Sequence, residues 1–466
     1  ATLTHYDLEV WLEGRGRELL RSLFQDSLDL RASREARLAA APVGADGVSR
    51  TRLERGHGRG LSTVFGRVSV TRLAYRAVGA GNLHPADGAL NLPAGLHSHG
   101  LRRLVALEAA RGSFDDAVAA VERATGVRVG KRQLVELAGT AAVDVDGFYA
   151  RMKAGPTPDA LLVLQFDGKG VVMRPEGLRP ATAKAAAAAG RKLATRLSPG
   201  EKNGRKRMAE LAAVHDAAPV VRTPRDVLPP PGQDSEDGPK AAGKWLTASV
   251  VDDIATVVAA GFDEATRRDP HHACTWVVLV DGNQAQLDAV TAEAKRRSVQ
   301  IHILIDFIHV LEYLWKAGWS FFDTGDPDAE AWVTDKARKV LAGHATDVAT
   351  GIRRRATYNG YDQTERKGAD TAAAYLDAKA AYLDYATALA KGWPIATGVI
   401  EGACRHLVKD SMDITGARWG LDGAEAILTL RAVIANRDFD DYWTFHLDQE
   451  RHRNHNSQYA DNRIPP

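Results

Sequence analysis

Three acidic residues lie far apart in the chain, each at a position from which a carboxylate can hold a metal ion. Asp167 closes the apolar run 161–166, and Asp281 closes the run 276–280, followed by Gly282. Glu401 lies in Gly398-Val399-Ile400-Glu401-Gly402-Ala403-Cys404-Arg405, at the start of a predicted helix. Open α/β sheets place their chemistry at the carboxyl ends of buried strands. Three converging carboxylates can hold a pair of divalent cations for in-line attack on a phosphodiester, the chemistry of cutting and joining nucleic acid. Singly, each acid has an ordinary explanation. Asp167 and Asp281 precede glycine as turn residues do, and Glu401 would favour the helix dipole. The triple carries the inference.

Other residues could serve such a site. Asp306-Phe307-Ile308-His309 follows an apolar run, so Asp306 could orient His309, with both beside the metal ligands. Arg405 and Lys409 fall one and two helical turns after Glu401, where charge on a scissile phosphate would develop. Trp393 and Trp419 bracket this region and are the tryptophans expected to stack on DNA bases.

Net charge is only +2, but it is uneven. Seven arginines lie between Arg50 and Arg76 against Glu54 alone. Ten basic residues, Arg191 and Lys192 among them, lie between Arg174 and Arg207 against two acids. Local basic excess in a neutral total points to a polyanion touching particular surfaces. Cys274 and Cys404 are the only cysteines, which excludes a disulfide framework or a multi-cysteine zinc site. No stretch reaches the ~20 apolar residues of a membrane span. The start at Ala1 has no signal-peptide pattern. A cytoplasmic, nucleoid-associated location is expected.

Residues 6–42 read as helical, with Leu8, Trp11, Leu12, Leu19, Leu20, Leu23 and Leu28 at helical spacing. Residues 63–75 predict a short β element. A helix over 100–111 precedes a helix-turn-helix-like pattern at 113–138. Ser113 caps its first helix and Thr125-Gly126 makes its turn. Lys131, Arg132 and Gln133 stand at the start of the second helix, where a recognition helix meets DNA. From Ala160 strands alternate with helices. Strands are expected up to Asp167, at 170–173, at 208–222, up to Asp281 and at 299–305. Helices are expected at 253–266 and 284–297, with 224–243 as a loop. Residues 310–392 read as helical with a break at Pro327, and the tail from Arg451 as loose.

Four segments together resemble a bacterial DDE-type insertion-sequence transposase of the ISKra group, related to the Mutator-like superfamily. They are the segment 165–170, Val280-Asp281-Gly282-Asn283, the segment 305–315 and the segment 392–410, supported by Leu90-Asn91-Leu92-Pro93 and the segment 414–419. The resemblance implies an α/β ribonuclease-H-like core with an all-helical insertion, plus a mainly helical N-terminal DNA-binding region containing a short β element. It implies that Asp167, Asp281 and Glu401 are catalytic and hold two Mg²⁺ or Mn²⁺ ions. Asp306 and His309 match the family's (C/D)-x-x-H signature. Asp306 is itself a strand-end acid and competes with Asp281, which is preferred because Asp306 already has a role in that signature. Some related families carry a basic residue seven positions after the Glu. Val408 stands there, so no role is transferred to it.

The domain expectation is 1–155 for DNA binding, 156–309 for the first part of the core, 310–392 for the insertion, 393–450 for core completion and 451–466 for a flexible tail. The functional expectation is metal-dependent cleavage at transposon ends, then strand transfer into target DNA through a 3′-hydroxyl. Double-stranded DNA, as terminal inverted repeats and target, is the partner, and the active complex is a homodimer or larger. The alternatives are a structure-specific endonuclease on the same core and a domesticated, non-catalytic DNA-binding protein.

Overall fold

The computed structural model describes residues 3–153, 161–188, 205–230, 232–414 and 416–465. The chain forms two compact units, Lys153–Asp413 and Ala1–Met152 with Ile414–Pro466. The first is built on a five-stranded sheet. Strands β1 (Arg52–Thr63), β2 (Gly66–Ala77) and β3 (Ala80–Leu83) belong to the other unit. The sheet comprises β4 (Leu161–Met173), β5 (Arg205–Ala217), β6 (Ala241–Ser249), β7 (Trp276–Val280) and β8 (Ile301–Ile305). Their spatial order is β6-β5-β4-β7-β8. β5 runs antiparallel to β4 and β6, whereas β4, β7 and β8 are mutually parallel. This mixed α/β arrangement is compatible with the ribonuclease-H-like core expected from sequence.

The sheet is covered on both faces, which is why 161–166 and 276–280 are wholly buried. Neighbouring residues of a strand point to opposite faces, and β4 shows the consequence. A Cβ on Gly261, in the helix Ile254–Arg268, would lie 2.8 Å from the Phe166 ring. Gln165 points the other way, and its Oε1 accepts from the Ile400 N–H at 2.9 Å. Asp167 shares the face of Gln165 and so looks toward the helix Gly398–Ala403 that carries Glu401.

Several boundaries differ from expectation. β4 is one continuous strand through Gly168 and Gly170, so Asp167 does not end it. β5 goes on pairing beyond the point where β7 stops. The stretch 224–243 is not all loop: Ala241 and Ala242 begin β6, which pairs along β5 as the sheet edge and anchors through the buried Trp245. Asn283 caps the helix Gln284–Arg297 as its sequence suggested.

The helical stretch that follows β8 begins at Phe307, not 310. Its main helices are Phe307–Gly318, Pro327–Leu341, Ala345–Tyr358, Lys367–Ala378 and Tyr385–Ala390. The break falls before Pro327, which occupies the first turn of its helix, where a missing N–H costs nothing.

In the other unit β1, β2 and β3 form an antiparallel meander, longer than the β element expected at 63–75. The helix His5–Arg34 packs on β2, with Leu28 in the core beside Leu61, Val68 and Val70. The helices Phe114–Thr125 and Lys131–Ala142 pack with His99–Arg111, and Gly126 makes the turn in the left-handed region at φ 67°.

Residues 414–450 do not complete the core, contrary to expectation. The helix Leu421–Ala435 packs against His99–Arg111 and Lys131–Ala142. Glu450, on the helix Phe439–Asn454, accepts from the buried Arg102 at 2.9 Å. The tail from Arg451 is not loose either: Tyr459 is buried beside Leu73, Tyr75 and Leu83. An apolar ring with a place in the core outweighs the polar composition around it.

Candidate functional site

Parallel register sets the acids side by side. β4 and β7 pair Gln165 with Leu279, and β7 and β8 pair Val280 with Ile305. Continuing each register brings Asp167 level with Asp281 and Asp281 level with Asp306, across strands spaced about 4.8 Å apart. Glu401 approaches from the covering helix. The fields of these groups overlap. Burial raises the proton affinity of Asp167 most, and the charge of Asp281 raises it further. Glu401, although more exposed, is raised as well, first by partial desolvation and then by the charges of Asp306 and, more weakly, Asp167. His309 opposes the shift at both sites.

The four acids are held very differently. Asp167 is partly buried. Its Oδ1 accepts from the Gly168 N–H at 2.6 Å, and its Oδ2 from the Cys404 thiol at 3.3 Å. Asp281 is partly exposed and closes its own turn, Oδ1 accepting from the Asn283 N–H at 2.7 Å. The carbonyl of Asp281 accepts from the Tyr375 hydroxyl at 3.4 Å. Asp306 is fully buried with both oxygens engaged, Oδ1 by the Ile308 N–H at 3.0 Å and Oδ2 by the Thr397 hydroxyl. Asp306 is thus the cap of its helix and a tie to the segment before Glu401. Of the two strand-end acids, Asp281 is the more exposed.

His309 lies one turn into that helix, its Nδ1 3.7 Å from a Glu312 carboxylate oxygen. Glu401 is exposed. The helix after it widens into a π-helical turn over Cys404–Lys409, where the Asp410 N–H reaches back to the Arg405 carbonyl. Such turns frequently interrupt helices at functional sites. The wider turn also resets side-chain register. Arg405 lies 3.7 Å from Asp410, five residues on, so the ordinary i,i+4 pairing with Glu401 is not formed. Lys409 is exposed.

The donor set of Asp167, Asp281 and Glu401 is all carboxylate oxygen, which fits a hard divalent cation, and their mutual repulsion is what such a cation would relieve. The fit is one of chemistry and position only. Among the described residues no three His, Cys, Asp or Glu side chains are grouped tightly enough to hold a metal ion.

The residues expected on DNA differ in exposure: the two tryptophans are buried, whereas Lys131, Arg132 and Gln133 are exposed at the start of their helix. Trp393 is buried against His302, ring centroids 4.4 Å apart, and Trp419 is buried edge-on to Phe114 at 5.2 Å. Neither presents a face to a base, because each fills space in its own unit. Lys131 pairs with Asp115 at 2.7 Å and Arg132 with Glu136 at 3.1 Å. Gln133 accepts from the Gly130 N–H at 3.4 Å, capping its own helix. Arg191 and Lys192 lie outside the described residues. Of the seven arginines in 50–76, Arg50 and Arg72 are buried on Asp46 and Asp87, Arg76 pairs with Glu54, and Arg59 bonds the Ala94 carbonyl at 3.0 Å. Arg52, Arg55 and Arg67 are exposed, as is Arg76 despite its ion pair.

Two positioning residues escaped the sequence reading. Gln165 was legible as a polar side chain inside a buried apolar run, whereas Thr397 gave no signal. Glu210 feels the fields of Asp167 and Asp281. It is the register partner of Gly168, however, so it projects from the opposite face of the sheet.

No family model matches the chain, and no curated protein matches it. Among solved structures, the Drosophila P element transposase strand transfer complex is similar at 9% identity, with a TM-score of 0.23, over 74% of this chain and 79% of that chain. Among the described residues no helix is long and apolar enough to cross a membrane.

Proposed function

We propose that the chain is a DDE-type transposase that cleaves DNA at transposon ends and transfers the freed strand into target DNA, on a ribonuclease-H-like core. What supports the reading most is the parallel register of β4 and β7, which, continued two residues past Gln165 and Leu279, would set Asp167 level with Asp281, with Glu401 on the helix that Asp167 faces. Asp167, Asp281 and Glu401 are the residues that would hold Mg²⁺ or Mn²⁺. Bound there, a pair of such ions supplies Lewis acidity for both the attacking and the leaving oxygen of a phosphodiester. Asp306 fixes the start of its helix and, through Thr397, the approach to Glu401. His309, one turn into the same helix, acts electrostatically on both Asp167 and Glu401. Arg405 and Lys409 lie on the exposed side of the Glu401 segment, where a phosphate backbone would be drawn in. The exposed Arg52, Arg55 and Arg67 suit the same polyanion.

The test uses oligonucleotides copied from the DNA that flanks the gene, carrying free 3′-hydroxyls, with supercoiled plasmid and Mg²⁺ or Mn²⁺. Plasmid joined to oligonucleotide by the wild-type chain, and not by Asp167→Asn, supports a transposase. Metal-dependent cutting without joining would move the conclusion to an endonuclease. DNA binding with no metal-dependent product would move it to a non-catalytic binder.

A further inference from the structure

The helix His5–Arg34 packs one face of its second half, whereas residues 5–15 are exposed all round, Tyr6, Val10 and Trp11 among them. The inner face of that second half lies on the meander. Leu28 is in the core, Phe24 meets Phe65 at 6.0 Å, and the Gln25 amide bonds the Ser69 carbonyl at 2.9 Å. On the other side stand Leu8, Leu12, Leu19, Leu23 and Leu30, between 42 and 61% exposed. At 3.6 residues per turn these five fall within an arc of about 60°, opposite the Phe24–Leu28 face. The stripe runs about 33 Å along the helix at 1.5 Å per residue. A stripe of that length and regularity is built to be covered, whereas single exposed leucines need no explanation.

The spacing is also regular. Leu8, Leu19 and Leu30 are eleven residues apart, as are Leu12 and Leu23. An eleven-residue repeat keeps one apolar seam on one side of a nearly straight helix, ready for a helix of the same kind.

We infer that this face is a homodimer interface in which the helices of two copies pack antiparallel, crossing near Leu19. Charge chooses the occupant and the direction. Arg15 and Asp26 are both exposed and lie within or beside the stripe. A parallel pair would set Arg15 against Arg15 and Asp26 against Asp26. An antiparallel pair crossing at Leu19 sets Leu8 opposite Leu30 and brings each Arg15 within one helical turn of Asp26 on the second copy. It also lays the first turn of one helix, which carries Asp7, beside the last turn of the other, which carries Arg31 and Arg34. The interface is independent of the proposed catalytic chemistry, since none of these residues belongs to the acidic site.

The test is sedimentation velocity of the full chain across micromolar concentrations, beside the triple variant Leu12→Glu, Leu19→Glu and Leu23→Glu. The wild-type chain is a dimer. The variant dissociates with a constant raised about a hundredfold or more, while its thermal unfolding stays unchanged because none of the three side chains is buried in its own unit. Cross-linking reads the direction, and does so even if the triple variant misfolds. Leu8→Cys and Leu30→Cys chains, carrying different tags, are mixed and oxidised against a wild-type control. Mixed 8–30 dimers are expected. A wild-type monomer throughout, a dimer unaffected by the three glutamates, or cross-links from 8 to 8 would each overturn the inference.

Discussion

The thiol of Cys404 donates to Oδ2 of Asp167 at 3.3 Å, joining residues 237 positions apart. Through this bond the segment that begins with Glu401 is fastened to the strand that carries Asp167. Burial, and then the charge of Asp167, push the Cys404 thiol well above its ordinary range, so it stays protonated and remains a donor. Replacing it by valine keeps the apolar packing and removes the donor. Groups that orient a ligating carboxylate typically cost ten- to a hundredfold in metal affinity when lost. Cys404→Val is therefore expected to weaken Mn²⁺ binding about tenfold by calorimetric titration, whereas Cys404→Ser, which keeps a donor, stays near wild type.

Asp281 and Asp306 stand on neighbouring strands but should fail in different ways. Asp306→Ala removes a helix cap and leaves the buried Thr397 hydroxyl without its acceptor. About 1 kcal/mol for the cap and about 1–3 kcal/mol for the stranded hydroxyl are expected in urea unfolding. Asp281→Ala leaves unfolding within about 1 kcal/mol and abolishes metal-dependent activity. If Asp306→Ala unfolds like wild type and loses metal binding, the two roles are exchanged.

Much of the framework was legible because apolar runs and caps act locally. The runs 161–166 and 276–280, the Asn283 cap and the Gly126 turn all took their expected forms. What was not legible depends on distant partners. β6 exists because β5 offers an edge to pair with, and Trp245 finds a pocket there. The helix Leu421–Ala435 looks from its sequence as able to join one unit as the other. Its packing against His99–Arg111 and Lys131–Ala142 decides that, and no local pattern reports it. At the site, the sequence left Asp281 and Asp306 as rivals because both follow buried strands. Burial and hydrogen bonding separate them.

The tryptophan expectations err for a related reason. An aromatic beside a candidate site is equally suited to a core, and Trp393 and Trp419 are both buried. Trp393→Ala and Trp419→Ala are expected to lower stability by about 3–5 kcal/mol each, the usual cost of emptying a buried tryptophan site. Thermal unfolding would register this directly. A variant that keeps its stability but loses DNA affinity would restore the base-stacking role.

The acidic site should couple stability to pH. Asp167 holds its proton more tightly folded than unfolded, chiefly through burial and then through Asp281. The stabilisation from that proton is complete below the ordinary carboxylate range and is lost as pH climbs through the raised folded value. A divalent cation reverses the trend, because it binds the deprotonated form. The rise in melting temperature on adding Mn²⁺ is thus expected to be larger at pH 8 than at pH 5. At a hundredfold excess over its dissociation constant the ion contributes about 2.7 kcal/mol. An equal rise at both pH values would contradict this coupling, and Asp167→Asn should abolish most of it.

The most direct measurement is anomalous diffraction at the manganese edge from crystals of the chain grown with a pre-cut DNA end and Mn²⁺. The account predicts manganese peaks among the carboxylates of Asp167, Asp281 and Glu401, with Asp306 still bonded to Thr397. Peaks that recruit Asp306 in place of Asp281, or DNA bound with no peak at these acids, would contradict it.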